Sequence, residues 1–300
     1  MPRPAFVWSP HYEMDIGKHV FPTSKFRLIK EQLVREGVVN PDETELAPPA
    51  TDDQLLGVLE PEYLRDLMSH RHTPRTISSE LPITRQIIEG CRYTAGGTIL
   101  CAQRALERGG ACHLGGGFHH GFADHAEGFC YINDVAIAAM QMLQDAKCNR
   151  IAIIDTDVHQ GNGTARIFRN DERVFTFSIH QEQLYPPKEK SDLDIGVEMH
   201  IGDAGYLALL EAGLSELFSR FDPQLIIYVA GVDPYEGDVL GSLGLSMGGM
   251  ELRDRMVLEA CVAGSIPFVT VTGGGYARRL EDTVALHVNT ILAGIDLLEA

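Results

Sequence analysis

The densest group of residues able to do chemistry is Asp155-Thr156-Asp157-Val158-His159, which follows the apolar run Ile151 to Ile154. On extended chain, side chains two positions apart share a face, so Asp157 and His159 point to one side. Asp233 closes a second apolar run, Leu225 to Ala230, through Gly231-Val232, and can join them from a neighbouring strand. Two carboxylates and one imidazole form a ligand set that leaves a divalent metal an open position, as catalytic sites require. Zinc suits the set, and ferrous iron or cobalt would also fit it. Read alone, the Asp-x-Asp-x-His run is equally a polar loop after a strand; Asp233 and a nearby histidine pair favour the metal.

That pair is His119-His120, preceded by Gly115-Gly116-Gly117-Phe118. Imidazole titrates near neutrality and suits proton transfer, provided an acceptor orients each ring; Asp155 and Asn162 are available for this. Gly117 and its neighbours permit close backbone approach to a substrate. Tyr276, after Gly273-Gly274-Gly275, can donate its phenol hydrogen bond to an oxyanion, although a glycine turn followed by a packing tyrosine is the plainer reading in isolation. Gly128-Phe129-Cys130-Tyr131 offers an apolar pocket wall at Phe129, with Cys130 expected as a buried thiol.

These groups need elements to hold them. From Ala111 onward, short runs rich in β-branched residues (Ile151 to Ile154, Val174 to Ile179, Leu225 to Ala230, Ile266 to Val271) alternate with helical stretches at 133–145, 206–221, 250–263 and 280–298, the pattern of a parallel α/β sheet, and Ala111 to Leu114 likewise runs into a chemistry-bearing segment. Phe6-Val7-Trp8 reads as a first strand, and Phe26, Ile29 and Leu33 as one helix face. Thr51 and Pro61 open short helices in a proline-rich stretch that keeps its apolar positions, so no domain linker is expected there. In a parallel sheet the C-terminal strand ends share one edge, where ligands bind, so four chemistry-bearing segments should converge on one crevice.

Composition sets limits. With 44% hydrophobic and 22% charged residues the chain is globular rather than disordered. A net charge of −17 argues against direct binding of nucleic acid or an anionic membrane, and leaves a cationic partner open. The six cysteines form no CxxC pair, which favours reduced thiols in an oxidant-poor compartment. No apolar run reaches the ~20 residues of a membrane span, and the first ten residues lack a signal peptide's pattern, so a cytoplasmic protein is expected.

In order along the chain, Gly115–His120, Gly128-Phe129-Cys130-Tyr131-Ile132-Asn133-Asp134, Asp155-Thr156-Asp157-Val158-His159-Gln160-Gly161-Asn162-Gly163 and Gly273–Tyr276 resemble the motifs of the histone deacetylases and their bacterial relatives, which share the arginase/deacetylase fold. Gly231-Val232-Asp233, Glu236 to Gly241, Arg253-Asp254 and Thr94 to Ile99 are most similar to the class IV enzymes. The resemblance implies one three-layer α/β/α domain over residues 1–300 with a mostly parallel sheet. It implies Asp157, His159 and Asp233 as zinc ligands, His119 and His120 as the acid/base pair, and Tyr276 as oxyanion donor.

It also implies a structural potassium or sodium ion held by Asp155, Asp157, Ser178 and carbonyls near His159 and Ile179. The substrate pocket falls on Gly117, Phe118, Gly128, Phe129 and Gly274, with Leu184-Tyr185-Pro186 opposite Phe129. One departure stands out: Asn162 occupies the position of a class I aspartate behind the second histidine, and an amide gives the imidazolium no anionic support. The implied reaction is hydrolysis of an acyl-lysine amide in a protein or peptide. A small acylated amine such as an acetylpolyamine is the alternative substrate, and a catalytically silent binding protein the alternative class. Acetyl is the default the wider family implies, whereas class IV similarity implies long acyl chains; the glycines at 115–117 and 273–275 leave room for a channel but fit a short internal cavity equally well.

Overall fold

The computed structural model describes residues 3–300, so Met1 and Pro2 of the expected domain lie outside the described residues. Eight strands form one sheet: β1 (Ala5–Trp8), β2 (Thr44–Leu46), β3 (Gly110–His113), β4 (Ile151–Asp155), β5 (Val174–Gln181), β6 (Leu193–Val197), β7 (Leu225–Val229) and β8 (Phe268–Val271). Their order is β2-β1-β3-β8-β7-β4-β5-β6. Every pairing is parallel.

The central strands are buried on both faces, which explains their near-continuous apolar sequence. Along β4, Ile151 and Ile153 enter one core while Ala152 and Ile154 enter the other. The first core is covered mainly by α4 (Arg85–Arg108) and α5 (Asp134–Gln144), with the short helices α2 (Asp52–Leu56) and α3 (Pro61–Met68) outside them. The opposite face is covered by α7 (Asp203–Arg220), α8 (Met247–Ala263) and α9 (Leu280–Glu299), joined at one end by α1 (Lys25–Arg35), whose Ile29 and Leu33 meet Val288 and Ile291 of α9. This is the three-layer α/β/α arrangement.

Several elements differ from the sequence expectation. The edge strands β2 and β6 and the helix α6 (Asn162–Phe168) are additional, and α4 is a 24-residue helix where none is predicted. The last strand begins at Phe268 rather than Ile266, because the Ile266 N–H closes onto Cys261 O in the turn after α8 and Pro267 has no N–H to offer. Helices α7 and α8 start three residues earlier than their apolar pattern, α8 because the Ser246 hydroxyl caps Gly249 N.

Candidate active site

Strands β3, β8, β7 and β4 are four consecutive neighbours at the centre of the sheet. Their C-terminal ends carry the four segments singled out above. Beyond the strands the pairing continues in the loops: Thr272 N bonds Gly115 O at 3.0 Å, Gly273 N bonds Gly116 O at 3.0 Å, and Thr156 N bonds Val229 O at 3.1 Å. The loops are thereby registered like the strands that feed them.

Asp157, His159 and Asp233 come together, each offering a ligand atom within 4.8 Å of the others, all three buried. Asp157 Oδ2 accepts from Gly274 N at 2.7 Å, and Asp233 Oδ1 from Val158 N at 2.8 Å. Asp233 Oδ2 is buried without a hydrogen-bond partner among the described residues. His159 Nδ1 lies 3.1 Å from Asp157 Oδ1 and 3.3 Å from Asp233 Oδ2. Burial and the nearby Asp157 push the Asp233 carboxyl up to about 7. Burial works against a charged His159, but the neighbouring carboxylates of Asp157 and Asp233 raise it to about 10. Two buried carboxylates with only an imidazole between them call for a cation, and the residues therefore fit a divalent metal ion.

Gly274 serves this cluster by what it lacks. A Cβ there would come 2.6 Å from Asp157 Oδ2 and clash with Asp233 Oδ2, so only glycine lets the backbone N–H reach the carboxylate. Lys25 is buried behind the same loop, with Nζ donating to Gly273 O at 2.7 Å. Burial pushes its ammonium down to about 8 against the pull of Asp233 and Asp157.

The two histidine rings lie 4.1 Å apart between centroids, tilted by 51°, but have different partners. His119 Nδ1 bonds Asp155 Oδ2 at 2.6 Å, and His120 Nδ1 bonds Asn162 Oδ1 at 2.7 Å. Burial opposes charge on His119, yet Asp155 and Asp157 outweigh it and raise the imidazole to about 9. For His120 burial and the neighbouring His119 and His159 act together and push it well below its usual value. One ring is thus held charged and the other neutral, a pairing that suits acid/base chemistry.

Their loop is fixed from behind: Asp134, at the start of α5, accepts from Gly117 N and Phe118 N at 3.1 and 2.8 Å. The hydrogen bond from Thr98 Oγ1 of α4 orients the same carboxylate.

Tyr276 is half-buried beside this group, with its backbone N–H bonded to Asp238 Oδ2 at 2.7 Å. Burial, together with Asp233 and Asp157, lifts its phenol well above the usual range, so it stays protonated as a donor. Above the metal cluster a mouth of about 240 Å³ is lined by His120, His159, Phe129, Tyr185, Leu240 and Tyr276 among others. Phe129 and Tyr185 both line it. Glu127 and Cys130 exchange backbone hydrogen bonds at 3.1 and 2.8 Å, which closes the turn and holds Phe129 at φ 65°, a conformation that bulky residues rarely adopt.

Below it, a space of only about 20 Å³ touches Gly117, Phe118, Gly128, Gly274 and Tyr276, walled by Phe21 and Phe26. This space matches a short internal cavity at the glycines rather than a long acyl channel. Their missing side chains are already taken up, since a Cβ on Gly117 would run into the backbone of Gly273.

Asp155 and Ser178 are register partners across β4 and β5, next to Asp157 and Ile179. The Ser178 hydroxyl lies 2.9 Å from His180 Nδ1.

Four residues of the site were given no role from the sequence, although Asp134 and Asp238 lie within segments that carry the resemblance. Asp238 and Asp134 bond loop backbone, Lys25 arrives from a distant helix, and Glu127 bonds Asn162 Nδ2 at 2.8 Å. Each acts through a partner far away in the chain, so no local spacing marks it.

A family profile described as a histone deacetylase domain matches residues 19–291. Among curated proteins, histone deacetylase 2 of Arabidopsis thaliana is 32% identical over 96% of this chain and 78% of its own length. The chain belongs to the histone deacetylase family. An uncharacterized protein of Picosynechococcus is 41% identical, covering 94% of this chain and 95% of that protein. Two solved structures share the fold: the HDA15 HD domain (TM-score 0.81, 23% identity, 99% of this chain and 92% of that chain) and an HDAC homolog complexed with SAHA (TM-score 0.81, 22% identity, 99% and 88%). Family membership supports a deacetylase-type hydrolase, and the buried Asp/His/Asp group could bind a metal.

Proposed function

We propose that this histone deacetylase family member is a zinc-dependent amidohydrolase that removes acetyl or another short acyl group from lysine side chains of proteins or peptides. The observation that carries the reading is the convergence, around one mouth, of the Asp157/His159/Asp233 cluster, a neutral His120 and a protonated Tyr276.

Asp157, His159 and Asp233 would hold the zinc, which when bound supplies Lewis acidity to the amide carbonyl and to a water molecule. The chain's own groups supply the rest. His120, neutral and with Nδ1 bonded to Asn162, presents Nε2 as the base that takes a proton from the attacking water and later delivers one to the leaving amine. His119, kept charged by Asp155, adds positive potential beside the developing negative charge. Tyr276 donates its phenol hydrogen bond to the oxyanion, and Phe129 and Tyr185 flank the lysine methylenes. The space of about 20 Å³ below, on a measure by which a single water needs ~10–15 Å³, holds little more than one water-sized group and so favours a short acyl group over a long chain. A potassium or sodium ion at Asp155, Asp157, Ser178 and the carbonyls of His159 and Ile179 belongs to the same reading, in a structural role.

A net charge of −17 supports a second substrate class, small cationic acylated amines. Assaying zinc-loaded protein on acetyl-, octanoyl- and myristoyl-lysine peptides and on acetylpolyamines tests both. The expected result is a maximum for acetyl-lysine peptide that a chelator abolishes. Hydrolysis of none of them would assign the fold a binding role instead, and a maximum at myristoyl would refute the short-acyl assignment.

A further inference from the structure

Behind His120 stands an amide, and an amide has two unlike ends. If Asn162 presents Oδ1, His120 Nδ1 must carry the proton and Nε2 keeps its lone pair. If Nδ2 faces the ring, the tautomer reverses and the base is lost. Asn162 cannot choose by itself. Glu127 Oε1 lies 2.8 Å from Asn162 Nδ2 and 3.0 Å from Tyr185 Oη.

An ionised carboxylate only accepts, so it can bind only the NH2 end of the amide. Burial works against this charge, but the nearby His125 and the hydrogen bonds from Asn162 and Tyr185 hold the Glu127 carboxyl below its ordinary value. His125 Nε2 lies 3.7 Å from Glu127 Oε2, on the side away from Asn162.

We propose that Glu127 is a positioning residue of the hydrolytic site: by binding the amide nitrogen of Asn162 it turns Oδ1 toward His120 and fixes that histidine in the Nδ1-protonated tautomer. The turn at 127–130 makes this possible, since the same backbone hydrogen bonds that hold Phe129 in the pocket wall hold Glu127 beneath it. Tyr185 shares the same carboxylate oxygen, so the opposite wall of the mouth is tied to the base. The negative charge that an aspartate would place next to the imidazole here sits one hydrogen bond further out. This inference rests on the hydrolase reading for its importance to catalysis, but its geometry is testable without turnover.

Long-range 1H–15N correlation spectra of the histidine rings distinguish the two tautomers. In the wild-type zinc-loaded protein His120 is expected in the Nδ1–H form, and in Glu127→Ala as a mixture of both forms. In parallel, kcat on acetyl-lysine peptide is measured for Asn162→Asp, Glu127→Gln and the double variant. Asn162→Asp sets two carboxylates against each other and should slow turnover. Adding Glu127→Gln supplies an NH2 donor to Asp and should recover about tenfold or more, the size expected for coupled residues in contact.

An unaltered His120 signal in Glu127→Ala overturns the proposal. Should that variant fail to fold, a double variant no faster than Asn162→Asp overturns it. If the wild type hydrolyses nothing, the hydrolase reading fails while the spectra still decide the role of Glu127.

Discussion

Asp233 uses one carboxylate oxygen to hold Val158 N and leaves the other buried without a hydrogen-bond partner among the described residues. Such an arrangement is costly unless a cation completes it. Asp233→Ala should therefore lose nearly all bound zinc along with hydrolysis while the sheet still folds; metal analysis showing full occupancy would remove Asp233 from the ligand set. Tyr276→Phe changes only a hydroxyl. It should keep zinc and fold and reduce kcat by roughly 10²-fold, the usual loss for one oxyanion donor. Turnover equal to wild type would make Tyr276 a packing residue, in line with its contacts to Phe21 and Phe129.

At the scale of elements, α4 positions the catalytic loop from behind through Thr98 and Asp134. It can lie close enough because Gly96 packs on the backbone of Pro48 and Ala50. A Cβ on Gly96 would stand 2.9 Å from Ala50 N and closer still to Pro48 O, neither of which can swing aside as a side chain could. Replacing an interior helix glycine with alanine gains about 1 kcal/mol in propensity, whereas overpacking costs about 1–3 kcal/mol. The clash should win, so Gly96→Ala is expected to lower the unfolding midpoint in urea; a raised midpoint would show that the loop at 48–50 gives way.

The same helix shows what the sequence withheld. Strand-end motifs such as Asp155 to His159 were legible because continuous apolar runs and metal-ligand spacing are local. In α4, Thr94 to Thr98 is made of small residues, two of them polar, yet all are buried, so its 3.6-residue pattern is masked and only Thr84 at its start and Gly109 at its end punctuate it. Glu127 was invisible for a related reason: its partners Asn162 and Tyr185 are brought to it by the fold. With Glu127 in place, Asn162→Asp sets one carboxylate against another rather than simply adding charge support to His120.

For the whole molecule, burying a histidine behind the catalytic loop has a consequence for acid stability. His113, at the end of β3, is enclosed on both ring nitrogens, with Nε2 2.7 Å from Tyr12 Oη and Nδ1 3.0 Å from Thr98 Oγ1. Burial pushes it down to about 3. Between its ordinary value of ~6.5 and that depressed one, the unfolded chain takes up a proton that the folded chain refuses, so stability falls as pH falls.

The slope is about 1.4 kcal/mol per pH unit for one such group, and His180, lowered to about 4 by burial and Lys188, adds to it over the upper part of the window. Above pH ~6.5 neither group contributes any slope. The net charge of −17 declines over the same range as carboxylates protonate, which relieves self-repulsion and opposes the trend. Comparison with His113→Gln separates the two effects, since the variant keeps the overall charge and loses only the buried imidazole. Its midpoint should start lower at pH 7.5 and fall less steeply down to pH 4.5 than that of the wild type. Parallel curves for the two proteins would show that His113 is already protonated within the fold, held by Tyr12 and the Asp134 carboxylate beyond Thr98.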